Sequence, residues 1–326
     1  MRVWLLMMGL LFNVMALHAG EALKIGLICS GSVTDGGWNQ LAKEAMEKVQ
    51  RELGAKVSIL QKVSQDTCGD ELRAYAADGY AVVIAHGYEF LTAAAEVAAK
   101  ETTMKIAVSG ADVAKPGIMT IDFDVSQASY QLGIIAGRLS KSGKLGFVGG
   151  SPIPSVKACY RGFLAGARSI KANISVVEAY TSWDEPVKSK QQTEAFFAQG
   201  IDIVYHDVDA ASRGVFEAVK ERNTKNPTSP VYVFGCVADQ NANPICPNHI
   251  LASAVIRLDA TFRAVIESVR ANTFTPGVVR ENLPRGTCVA VLNPLLRGTI
   301  LTDTIIREVE AAGVALANGT IMIPNE

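Results

Sequence analysis

The stretch "LKIGLICSGSVTDGGWNQLAKEAM", residues 23–46, decides the fold. A short apolar run, "LKIGLI" (23–28), meets a loop with two adjacent glycines. The loop then opens into a helical pattern from about Asn39 to Leu53. Strands that are apolar throughout are buried on both faces, as in parallel sheets whose crossovers are helices.

The same unit recurs along the chain. "KVSIL" (56–60) precedes a helix near Cys68–Asp78, "AVVIAH" (81–86) a helix to Lys100, and "KIAVSG" (105–110) follows. A second series runs "KLGFVGG" (144–150) with a helix from Val156, "ISVVEAY" (174–180) with a helix from Glu185, "IDIVYHD" (201–207) with a helix from Ala211, and "VYVFG" (231–235). This predicts an α/β protein of two lobes with similar topology, in a chain of 326 residues, long enough for two domains. In open α/β sheets ligands meet the loops after the strand C-termini. With two lobes, those loops face each other across a cleft.

Composition narrows the function. The formal net charge is -1, which argues against a basic nucleic-acid face, and no nucleic-acid partner is expected. The N-terminus "MRVWLLMMGLLFNVMALHAG" has Arg2, an apolar core from Trp4 to Met15, and Leu17-His18-Ala19 as a cleavage site. It reads as a signal peptide over residues 1–19, so the mature chain is expected to be exported, periplasmic and soluble. The apolar core is shorter than the ~20 residues of a spanning helix. Six cysteines are scattered without C-x-x-C spacing or nearby histidines, which predicts buried free thiols and no metal site. G-x-S-x-G, the P-loop and a G-x-G-x-x-G after the first strand are missing, so neither an enzyme nor a cofactor is expected.

The loops carry the candidate site. Trp38 ends the first loop and Trp183 lies in "YTSWDEP" of the second lobe; after signal removal these are the only tryptophans. An indole offers a rigid plane and much contact area at little entropy cost. Polar neighbours Asp35, Asn39, Gln40 and Asp184 are placed to read donors and acceptors on a flat ligand. The third loop adds His86 and Tyr88, with His86 equally readable as a structural histidine. "HDVDAASRG" adds Asp207, Asp209 and Arg213, where Asp209 or Ser212 is also a helix cap, and "GCVADQNANP" adds Asp239 and Gln240.

The segments "TDGGWNQLAKEAM", "SYQLGIIAGRLSKSGKLGFVGGSPIP", "FLAGA", "YTSWDEP" with "QGIDIV", and "GCVADQNANP" with "ILASAVIRLDA" resemble, in this order, the basic-membrane-protein family. These are solute-binding components of ABC importers that include purine-nucleoside receptors. The resemblance implies a type I periplasmic-binding-protein fold of two Rossmann-like lobes joined by three hinge crossings. It implies one lobe from 20–121 plus 251–284 and another from 122–250 plus 285–326. It also implies a permease and an ATPase as partners, with the membrane met only through the permease. Aromatics at Trp38 and Trp183 would sandwich the ligand's ring, with Asn39 and either Asp35 or Asp184 hydrogen-bonding to it. The family's ribose-binding acid falls at Val237, with Asp239 two residues on, and a family lysine falls at Ile256 beside Arg257. The two indoles and the altered ribose contacts point to riboflavin, which a spirochaete member of the superfamily binds. A purine nucleoside or base is the alternative ligand, and a ligand-sensing module of the same fold is the alternative role.

Overall fold

A computed structural model of the chain describes residues 22–324; the expected signal segment, 1–19, lies outside the described residues. The first sheet is parallel throughout, in the order β11 (Gly277–Glu281), β5 (Met119–Phe123), β4 (Lys105–Ser109), β3 (Val82–His86), β1 (Lys24–Cys29) and β2 (Lys56–Leu60). The second runs β12 (Cys288–Leu292), β10 (Ile250–Ile256), β9 (Tyr232–Val237), β8 (Ile203–Asp207), β6 (Lys144–Gly149) and β7 (Ser175–Tyr180). It is parallel except where β12 pairs antiparallel with β10. Two such sheets with helices on their faces are the expected α/β periplasmic-binding-protein architecture.

The opening stretch folds as its pattern dictates. Val82 to His86 and Ile25 to Cys29 pair in register at the centre of the first sheet, and both runs are buried. Helix α1 (Trp38–Leu53) buries Ala42, Ala45, Met46 and Val49, the spacing of one helical face. Gly54 ends it with φ 64°, its N–H returning to the Gln50 carbonyl, because that left-handed turn penalises any side chain.

Three crossings join the sheets, between β5 and α4 (Ser126–Leu139), between β10 and α8 (Leu258–Arg270), and between β11 and β12. They are bonded to one another: Asp124 N–H donates to the Glu281 carbonyl (2.8 Å), Arg257 N–H to that of Thr287 (2.7 Å), and Leu283 N–H to Gln127 Oε1 (3.2 Å). One expected boundary is corrected. Residues 251–256 do not belong with the first lobe: β10 is buried along its whole length and hydrogen-bonded between β9 and β12, so the chain crosses at Arg257. All six cysteines are buried and unpaired. No helix of the described residues is long and apolar enough to cross a membrane.

Candidate functional site

The first lobe's loop is built around Asp35. Its Oδ1 accepts the N–H groups of Gly37 (2.9 Å) and Gln40 (3.0 Å), and its Oδ2 those of Asn39 backbone (3.0 Å) and side chain (2.8 Å). A carboxylate at the positive end of α1 satisfies donors that the helix leaves without partners. Asn39 is buried and accepts the Gly31 N–H (3.3 Å), while Gln40 accepts from Gly36 (3.1 Å) and donates to Glu44 (2.9 Å). These three expected ligand contacts therefore spend most of their polar atoms on the loop itself. What the loop presents is Trp38.

Trp38 is braced by two rings and by its own backbone. Its ring stacks on the His86 imidazole at 3.9 Å and 20°, and meets Phe123 edge-on at 5.7 Å. Its carbonyl lies 3.1 Å from His86 Nε2, and a carbonyl only accepts, so Nε2 carries the proton. Nδ1 is then the acceptor for the Ser109 hydroxyl at 2.5 Å. Burial pushes the His86 value down to about 3, against the pull of the Trp38 carbonyl, so the ring is a neutral platform. His86 is thus a structural residue that braces one face of the indole.

In the second lobe Trp183 lies in the loop between β7 and α6 (Pro186–Ala198), half-buried. Its indole rests on Gly150, at the end of β6, where a Cβ would overlap the ring. Its carbonyl accepts the Ala211 N–H at 3.0 Å. Two residues earlier, Asp209 Oδ1 accepts the Trp38 N–H at 2.9 Å. The short loop between β8 and α7 (Ser212–Lys225) therefore ties both tryptophans, one from each lobe.

The other expected residues divide by exposure. Tyr88 is 57% exposed, Asp184 is exposed and accepts the Ser182 hydroxyl (3.0 Å), and exposed Asp239 accepts the Asn241 N–H (3.1 Å). Asp207 is buried, and burial raises its value, eased by the Cys159 and Cys236 thiols. The ligating atoms of those three residues lie within 4.8 Å of one another, a set chemically fit for a soft cation. The Tyr205 hydroxyl bridges Cys236 (3.2 Å) and Ser129 (3.0 Å), so the cluster is also a hydrogen-bonded core network.

A cleft of about 1180 Å³ also opens between the lobes, lined by Asp35, Gln40 and Asp239 together with Glu44, Arg213 and Lys220. Charged residues and small apolar ones such as Ala238 and Pro244 share its walls, and no aromatic side chain lines it, so a flat ring has nothing to stack on there. Three features escaped the sequence reading. The Trp38–His86 stack and the Asp209 contact join residues 48 and 171 apart in sequence. Val237 adopts φ 67°, a left-handed conformation that no β-branched residue announces.

Residues 22–280 match the family of PnrA-like ABC transporter substrate-binding proteins, Bmp. The chain belongs to that family. Basic membrane protein A of Borreliella afzelii is 22% identical over 308 residues, 92% of this chain and 91% of the relative. The ABC transporter nucleoside-binding protein BmpA of Lactococcus lactis subsp. cremoris is 25% identical over 281 residues, 81% and 80% of the two chains. Among solved structures, an ABC transporter solute-binding protein of Conexibacter woesei superposes with a TM-score of 0.77 at 25% identity, covering 93% of this chain and 99% of its own. The protein is therefore an extracytoplasmic solute-binding protein of an ABC transporter, not an enzyme, and its partners are a ligand and a transporter.

Proposed function

We propose that the chain captures a flat aromatic heterocycle between its lobes and delivers it to an ABC permease and ATPase. The ligand is riboflavin; a purine nucleoside or purine base is the second reading. The observation that carries this is the pair of tryptophan loops tied to one loop of the second lobe, Trp38 through Asp209 and Trp183 through Ala211. His86 covers one face of Trp38, and in this reading the ligand ring stacks on the opposite one; two indoles match the area of a three-ring system.

Val237 and buried Ile256 stand where the family resemblance implies a ribose-binding acid and a lysine, which favours an open polyol over a clamped furanose. The nucleoside reading draws on the description of the Lactococcus relative. Tyr88, Asp184 and Asp239 offer exposed polar groups, and Asn39, Asp35 and Gln40 contribute through the lone pairs their loop leaves over. The receptor works in the periplasm after loss of residues 1–19. Tryptophan fluorescence tests the ligand, because Trp38 and Trp183 are the only tryptophans from Gly20 onward. Riboflavin is expected to quench nearly all emission and a purine nucleoside only part of it. Unchanged emission with both ligands at saturating concentration rejects the sandwich.

A further inference from the structure

We propose that Asp209 is the latch that couples lobe closure to the placement of Trp38. The inference rests on the reading of the interlobe cleft as a site that closes on a ligand. Its footing is geometric. Asp35 fills the Gly37, Asn39 and Gln40 N–H groups at the start of α1 from within the first lobe. The Trp38 N–H is the donor it leaves over, and Asp209 fills it from the second lobe at 2.9 Å. Gly37 is buried directly against the Asp209 carboxylate and Cα, where a Cβ would overlap both. Its φ of −141° lies outside the left-handed region, so that overlap is what an added methyl meets there. The same carboxylate thus reaches from the facing lobe to the residue whose ring would stack on the ligand.

The test needs no ligand. Because the six native cysteines are buried, a dye pair can be attached at Gln65→Cys in the first lobe and Val187→Cys in the second, both exposed positions. Energy transfer in the full mature chain is expected to report a closed population held by the Asp209 contact. Asp209→Asn, whose amide oxygen keeps an acceptor for the Trp38 N–H, is expected to retain that transfer. Asp209→Ala and Gly37→Ala are expected to lose it, with wild-type circular dichroism. Wild-type transfer in Asp209→Ala and Gly37→Ala, or a loss in Asp209→Asn as large as in Asp209→Ala, overturns the latch. Failure to bind riboflavin and nucleosides with the transfer profile intact overturns the ligand reading instead.

Discussion

Trp38 and Trp183 occupy comparable strand-to-helix loops in their two lobes, yet the lobes hold them differently. Trp38 is fixed by both backbone groups and by two rings, with a capped helix behind it. Trp183 has one backbone bond, to Ala211, and a glycine beneath its indole, among exposed neighbours Asp184 and Glu185. One jaw is built to keep its shape and the other to be fitted. A binding surface that is half pre-organised spends less ordering entropy on the rigid side and keeps adaptability on the other.

The sharpest way to break this comparison is to remove each indole. Trp38→Ala and Trp183→Ala are each expected to weaken binding by about 2–4 kcal/mol, the range of hot-spot truncations, which calorimetry measures as a rise in Kd of about 30-fold to 1000-fold. Stability separates them. Trp38→Ala strips the cover from His86 and Phe123, and denaturant titration should find a loss of roughly 2–4 kcal/mol. Trp183→Ala should lose less than half as much. Equal losses would mean the two jaws are equally braced.

A second comparison sets His86 against His206. Both are fully buried and both are pushed down to about 3 by burial. His86 uses both ring nitrogens, whereas neither nitrogen of His206 finds a partner of good geometry, Gln240 nearby easing its shift only in part. Leaving buried polar atoms unpaired costs about 1–3 kcal/mol. His206→Phe should therefore stabilise the fold at pH 8, where His86→Phe destabilises it.

The sign of the pH effect follows from the same values. The unfolded chain binds these protons near pH 6.5 and the folded chain only near 3, so stability is full above 6.5 and falls as pH drops, by about 1.4 kcal/mol per unit for each histidine. Asp209, raised to about 7, contributes in the opposite direction and cancels part of the slope. Denaturation midpoints between pH 7 and 5 should thus fall less steeply in His206→Phe than in wild type. Identical slopes would show that His206 titrates normally.

The smallest effect is expected at Asp184, exposed and bonded only to its own loop. Asp184→Asn should change the affinity by no more than about twofold. A larger change would make the Trp183 loop a polar reader as well as a stacking surface.

How far the sequence leads depends on whether a feature is local. "LKIGLI" and "AVVIAH" declare buried parallel strands because both faces are covered, and α1 declares itself through its apolar spacing. The positions of Trp38 and Trp183 after their strands are legible for the same reason. "ILASAVI" is visibly a strand, but nothing in it says which sheet it joins; that is fixed by register on β9 and β12, and the expected lobe boundary there was misplaced. Asp209 reads as a helix cap from its neighbours. Its partner is another lobe's amide, and only tertiary closure brings that to it.

The three crossings also bear on the order in which the molecule can be completed. The first sheet ends on β11, which pairs Gly277 with Met119, and the Leu258–Arg270 helix that carries Asp259 and Arg263 packs back on α1 through Lys48 and Glu52. A growing chain that has produced the whole of β1 to β5 still lacks an edge strand and a covering helix until the second lobe's strands β6 to β10 have been synthesised. Pairings between such distant segments form slowly. For a protein read as bound for export, that delay keeps the polypeptide unfinished, and threadable, through most of its translation.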